Sequence, residues 1–279
     1  METIVPGVAV TVAPSIVRIT APNPGVMTGP GTNSYIVGQD RLIVVDPGPD
    51  IDSHISLLID AVRDRLDWIV CTHTHLDHSP AARALKAATG ARIAGRVTNQ
   101  DGRQDKTFEP DRVPQDGDTI TTDGVTLRAV HTPGHASNHL CYLLEAQKLL
   151  FTGDHIMQGS TVVISPPDGD MQAYFASLEK LFPLDLATLA PGHGRLITTP
   201  HDEVRRLIAH RLKREEKVLG ALARKSPATL DELVPLAYDD VPEKLYPPAR
   251  RSLHAHLIKL SREGRAKEAG ELWLAAGAR

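Results

Sequence analysis

Through the first two thirds of the chain, short β-rich runs alternate with helix-like segments and with turns rich in Gly, Pro and Asp. Residues 42–46, 51–65, 68–72, 80–89 and 92–94 form one such stretch, reading strand, helix, strand, helix, strand. Each apolar strand and each amphipathic helix must bury a face against a neighbour, so repetition of the unit predicts α/β layers. Further strands are predicted at 16–20, 34–37, 126–130, 140–144, 149–152 and 186–189, and a helix at 171–182 with Asp170 as its N-cap. At 279 residues the chain is long enough for one large domain, or for a sizeable domain and a small one. Aromatics are only 4%, so aliphatic side chains have to fill the core.

The pattern changes after Pro200. Val204, Leu207, Ile208, Leu212, Val218, Leu219 and Leu222 recur at helical spacing on a charged background. "TLDE" from Thr229 is a capping-box pattern, "PPARRSLHAHLIKLSREG" reads as a helix stopped at Gly264, and the tail resembles a hairpin turning at Gly270. Helix, helix, helix, hairpin is the order of a winged-helix module. Two domains are therefore predicted, 1–199 and 200–279.

Polar residues with metal-binding chemistry follow several of the predicted strands. "CTHTHLDHSP" places His73, His75, Asp77 and His78 directly behind an apolar run. On an extended run, residues i and i+2 project to one side, so His73 and His75 suit a single ion. Past the turn, Asp77 and His78 suit a neighbour about 3.5–4 Å away. His135 in "HTPGHAS", Asp154 in "FTGDH" and His193 in "APGHG" follow three other strands. Loops leaving α/β strand ends gather along one edge, which brings four ligand-bearing segments together. Imidazole and carboxylate suit zinc, and Mn and Fe accept the same donors.

Together, "THTHLDH", "HTPGHASNH", "FTGDH" and "APGHG" resemble the signature of the metallo-β-lactamase superfamily, across roughly residues 15–200. The resemblance implies an αββα sandwich with a dinuclear site at one edge of its sheets, followed here by a small winged-helix-like domain. It implies that His73, His75 and His135 hold one metal, that Asp77, His78 and His193 hold the other, and that Asp154 bridges them. The expected cofactor is two zinc ions. Two divalent ions, two carboxylates and a bridging hydroxide leave about +1, attractive to an anionic or polarised oxygen. The expected activity is hydrolysis by metal-activated hydroxide, with Asp77 as the residue that orients the nucleophile. Asp46 in "LIVVDPG" is expected to support the metal loop from behind, and His155 is a candidate for the same layer. His131 and His139 are expected to hydrogen-bond structurally, and His54, His201, His210, His254 and His256 to sit on helices in solvated or capping roles.

"GTNSYIVG", "THTHLDHSPAA", "GDHIMQGSTVVISPPDGDM" and "LHAHLIKLSREGR" look most like the beta-lactamase-like protein 2 branch, whose members include a single-strand-selective endoribonuclease. That implies a phosphodiesterase acting on single-stranded RNA. One alternative is a thioester or lactone hydrolase resembling hydroxyacylglutathione hydrolase, with a small-molecule ester or thioester substrate. Another is a non-enzymatic regulator binding nucleic acid through Arg250, Arg251, His254, His256 and Lys259, although Asp231, Glu232, Asp239, Asp240 and Glu243 lie nearby in sequence. A net charge of −3 supplies no global attraction to nucleic acid. The N-terminus lacks a basic region and a long apolar segment, and Pro6 and Pro14 interrupt it, so no secretory signal is expected. No apolar run approaches the roughly 18 residues of a membrane span. A cytoplasmic setting is expected, with Cys71 and Cys141 as buried thiols and the oligomeric state open.

Overall fold

The computed structural model describes residues 3–98 and 102–276. Among these, contacts group the chain into two units, one within 1–132, 138–162 and 183–201, the other within 133–137, 163–182 and 202–279.

The first unit is built on two sheets. One has six strands in chain order, β1 (Ala9–Ala13), β2 (Ile16–Thr20), β3 (Asn33–Gly38), β4 (Leu42–Val45), β5 (Leu66–Val70) and β6 (Arg92–Ala94). Pairing is antiparallel from β1 to β4 and parallel from β4 to β6. The crossovers between parallel strands are α1 (Asp52–Val62) and α2 (Ala81–Thr89). The other sheet contains β7 (Thr119–Thr122), β8 (Val125–His131), β9 (Leu140–Leu144), β10 (Leu149–Gly153) and β11 (Thr188–Pro191), arranged β11-β10-β9-β8-β7. A buried cluster drawn from both sheets, including Tyr35, Val45, Val70, Leu127, Tyr142 and Phe151, forms the main core. Leu58, Val62, Ala82 and Leu85 pack with Val44 and Ile69 in a second cluster that joins α1 and α2 to the first sheet.

The second unit contains α3 (Met171–Glu179), α4 (Pro200–Arg224) from Asp202 onward, α5 (Leu230–Ala237), α6 (Tyr246–Arg262) and a hairpin of β12 (Ala266–Ala269) and β13 (Leu272–Ala275). Thr229 and Glu232 form the expected reciprocal capping box at α5. Val218, Leu222, Leu233, Leu253, Leu257, Leu260 and Trp273 share one core, so three helices and the hairpin fold around a common apolar centre. Residues from α3 also belong here: the Lys259 ammonium lies 5.3 Å from the Phe175 ring centroid, and Arg211 lies 5.3 Å from that of Tyr174.

Several expected elements differ in extent. The strand expected over 68–72 ends at Val70, because Thr72 is drawn into side-chain hydrogen bonds. The helix expected to Arg65 ends at Val62, where Arg63 has φ +51°. The helix expected over 171–182 ends at Glu179. Strands β1 and β7 were not expected. β1 is short and has no fully buried residue, and β7 is three-quarters threonine, so neither leaves a strong apolar signal. Cys71 and Cys141 are both buried and form no disulfide. Among the described residues no helix is long and apolar enough to cross a membrane.

Candidate metal centre

The centre is built around one carboxylate at the end of β4. Asp46 has φ +50°, a backbone state that residues other than glycine seldom adopt. The turn continues to Gly48 at φ +90°, where a Cβ would sit 2.9 Å from His54 Nε2. Gly48 donates its N–H to the His78 carbonyl at 2.8 Å, and Ala81 donates back to the Gly48 carbonyl at 3.1 Å. This turn therefore clamps the histidine-rich loop at its far end.

Asp46 also sets the chemistry of the loop. Its Oδ1 accepts the Thr72 N–H at 2.7 Å, and its Oδ2 accepts the Thr72 hydroxyl at 2.8 Å. The same Oδ2 lies 2.9 Å from His78 Nδ1. An ionised carboxylate only accepts, so Nδ1 of His78 carries the hydrogen and, in the neutral ring, Nε2 presents its lone pair. Thr72 Oγ1, having given its hydrogen to Asp46, accepts from His73 Nδ1 at 3.1 Å. His73 Nε2 is thereby left as a lone pair too, and it lies 2.9 Å from His75 Nδ1. One aspartate, directly and through one threonine, orients two of the expected ligands.

Four atoms then converge. His78 Nε2 lies 3.4 Å from Asp154 Oδ1 and 3.6 Å from Asp77 Oδ2, and His193 Nε2 lies 3.3 Å from each of those oxygens. Ligands about 2.0–2.1 Å from a tetrahedral ion stand about 3.3–3.4 Å from one another. His78 Nε2 is buried without a hydrogen-bond partner, as expected of an atom built to meet something between it and the carboxylates. His73, His78 and Asp154 make a second group with metal-binding spacing. The residues present therefore fit divalent metal ions.

The electrostatics point the same way. Burial alone would lower the His78 pKa, but Asp77, Asp154 and Asp46 raise it well above its ordinary value. Burial likewise opposes charge on His193, and Asp154 and Asp77 raise its pKa. For Asp77, burial pushes the pKa up, whereas His78 and His193 bring it down to about 2. Three clustered carboxylates demand positive charge, and a metal supplies it.

The remaining histidines separate by role. His139 is fully buried and acts structurally, as expected: its Nδ1 faces Thr132 Oγ1 at 2.9 Å, and its Nε2 accepts the Asp154 N–H at 3.2 Å. It thus holds the backbone of Asp154. His131 donates its backbone N–H to Asp116. His135 lies on the 133–137 loop of the second unit, with Nδ1 2.9 Å from the Val163 carbonyl oxygen. His155 is buried and stands outside the metal-binding groups, its ring centroid 6.1 Å from that of His139. His54 is not solvated or capping, as its helix suggested: it is buried with Nε2 3.0 Å from Ser34 Oγ. His256 and Lys259 are also buried, and Arg250 is paired with Asp231, while Arg251 is exposed and His254 half-buried, so two of the five residues of the basic face expected of a regulator lie inside the second unit.

Sequence reasoning missed two supports. Thr72 looks like an ordinary strand residue, although its position between an apolar strand and His73 was a signal. Asn33 donates to the carbonyls of Pro191 and Gly194 at 3.0 and 2.8 Å, tying β3 to the segment that carries His193.

The family model for the Metallo-beta-lactamase superfamily matches residues 27–193, and that for the beta-lactamase associated winged helix domain matches residues 229–273. The chain belongs to the metallo-beta-lactamase superfamily. Among superfamily relatives, a beta-lactamase-like protein 2 homolog of Drosophila melanogaster is 31% identical over 91% of this chain and 90% of its own length. An atrochrysone carboxyl ACP thioesterase of Aspergillus fumigatus is 29% identical over 90% of this chain and 82% of its own length. A beta-lactamase domain protein from Burkholderia ambifaria shares the fold at TM-score 0.82 and 21% identity, over 98% of this chain and 95% of that one. A metallo-beta-lactamase family protein from Thermus thermophilus gives 0.79 and 20%, over 95% and 100%. The metallo-beta-lactamase fold with a C-terminal winged helix domain, expected from the motifs, is thus present.

Proposed function

We propose that this superfamily hydrolase holds two divalent ions and cleaves an acyl thioester or a related ester. The observation that carries the hydrolytic reading is the convergence of His78 Nε2, His193 Nε2, Asp77 Oδ2 and Asp154 Oδ1 at distances of 3.3 to 3.6 Å. By motif, Asp77, His78 and His193 would hold one ion and His73, His75 and His135 the other, with Asp154 available as a further carboxylate ligand. Zinc suits this nitrogen-rich set, and Mn and Fe suit it as well. When bound, such ions polarise a scissile carbonyl and make a nucleophilic water available at neutral pH.

The protein's own side chains prepare that chemistry. Asp46 and Thr72 keep the lone pairs of His73 and His78 turned inward, so no ring has to flip on loading. His139 secures Asp154 through its backbone N–H. The Asp77 side chain is 29% exposed against 12% for Asp154, which makes Asp77 the carboxylate better placed to accept a hydrogen bond from an entering water and orient it. Relatives named as ACP thioesterases support the thioester as substrate class.

A second reading, cleavage of single-stranded RNA, draws support from the beta-lactamase-like protein 2 homologs, matched over about nine tenths of the chain, and from the winged-helix match. One assay series separates the two. Metal-loaded protein is given S-acyl-N-acetylcysteamine thioesters, lactoylglutathione, a lactone, nitrocefin and single-stranded RNA. Thioester turnover lost in Asp77→Ala and His193→Ala supports the first reading. RNA cleavage with no thioester turnover overturns it in favour of the second.

A further inference from the structure

Beside His193, the first unit carries a cavity of about 310 Å³ lined by Thr3, Ile4, Pro30, Gln158, Gly194 and Arg195. That volume lies at the lower end for ligand pockets and suits one group of a substrate rather than a whole one. Arg195 is half-buried, and among the described residues it has neither a carboxylate nor a carbonyl partner. Elsewhere Arg41, Arg128, Arg206 and Arg214 are each paired with a carboxylate. A guanidinium is always charged and carries five donors, and partial burial without a partner costs desolvation that an incoming anion offsets. Gln158 brings a second set of amide donors to the same cavity, also without a partner among the described residues.

The backbone is shaped to hold these two side chains together. Gly194 has φ +88°, and a Cβ there would lie 3.0 Å from Gln158 Cβ and 3.2 Å from its Oε1. Only glycine lets the segment between His193 and Arg195 pass so close to Gln158. The segment is also locked to the metal centre: His193 Nδ1 faces the Gly31 carbonyl at 3.2 Å, next to the cavity residue Pro30, and Asn33 donates to the Gly194 carbonyl at 2.8 Å.

We propose that this cavity is a subsite for an anionic oxygen group of the substrate, a carboxylate or a phosphate, with Arg195 as its principal donor and Gln158 as the second. Arg195 is then a specificity-determining residue that holds a charged part of the substrate while the scissile bond lies at His193. The assignment rests on the proposed hydrolase function only in taking His193 as part of the reaction centre.

The test is calorimetric titration of the metal-loaded protein with methyl phosphate and, separately, with monomethyl succinate. Arg195→Gln is expected to weaken binding of the preferred anion about 10-fold or more, the scale of lost hydrogen bonds to a charged group, and Gln158→Leu to weaken it less. Both positions are at least partly exposed, and unchanged metal content and circular dichroism verify that each variant is folded. Which probe responds tells carboxylate from phosphate. Equal affinities in wild type and Arg195→Gln mean that the anion is taken up elsewhere and overturn the proposal, as does no binding of either probe by wild type. Anion binding that depends on Arg195 in a protein that turns over no thioester leaves the subsite standing and removes only the thioester reading. Where thioesters are turned over, Arg195→Gln raises KM for S-succinyl-N-acetylcysteamine and leaves KM for the butyryl thioester unchanged.

Discussion

Asp46 Oδ2 lies 2.9 Å from His78 Nδ1, while the same carboxylate accepts both the N–H and the hydroxyl of Thr72. An anchor of this kind acts on metal affinity through the tautomer of its histidine. In Asp46→Asn the amide replaces one acceptor by a donor, so the carboxylate's three hydrogen bonds are not all met. Metal affinity is expected to fall about 10- to 100-fold, measured by competition with a chelator of known affinity.

Removing the metal should abolish hydrolysis, and returning it should restore activity. Elemental analysis of the loaded wild type is expected to find about two ions per chain, the usual content of a two-metal hydrolytic site. His193→Ala removes one of the four converging atoms and is expected to retain about one ion, held by the set proposed for the other site, His73, His75 and His135. Full occupancy in His193→Ala would contradict the ligand assignment.

Acid should destabilise the second unit through His256. This imidazole is fully buried; its Nδ1 is 3.7 Å from Glu215 Oε2, and Arg211 and Lys259 also act on it. Burial lowers its pKa from 6.5 to about 4, Glu215 opposes that shift, and Arg211 and Lys259 reinforce it. As pH falls below 6.5 the unfolded chain takes up a proton that the folded chain refuses until about pH 4. The stability this group contributes is therefore present above pH 6.5 and is lost as pH falls towards 4. His256→Gln is expected to flatten that part of the pH dependence in urea unfolding followed between pH 4 and 7.

Asp170 caps α3 by accepting the Ala173 N–H at 2.9 Å, and its other oxygen pairs with Arg262 of α6. Asp170→Ala loses both contacts. The expected cost is about 1 kcal/mol, read as a lower denaturation midpoint with the slope unchanged. Asp170→Asn keeps a capping oxygen and should recover much of the loss.

The strands through His131, Val70 and Gly153 were legible because apolar runs ending in polar turns leave a strong local pattern. The ligands were legible because histidine and aspartate after successive strands form a recognisable set. β1 and β7 escaped notice because a short edge strand with no fully buried residue and a threonine-rich one leave little apolar signal. The place of α3 was equally hidden: its sequence shows an amphipathic helix but not that Phe175 and Tyr174 meet Lys259 and Arg211, far along the chain.

Local sequence thus determined most of the helices and strands, the winged-helix order of the C-terminal elements, and the residue types able to bind metal, since propensity, capping and ligand chemistry are written within a few neighbouring positions. Asp46 was expected behind the metal loop, but tertiary structure alone decided that its partner there is His78, 32 positions away, that His139 holds Asp154, and that Arg195 is left half-buried beside His193 without a partner among the described residues. Those relations depend on distances between strand ends, and such distances are set by how two sheets pack.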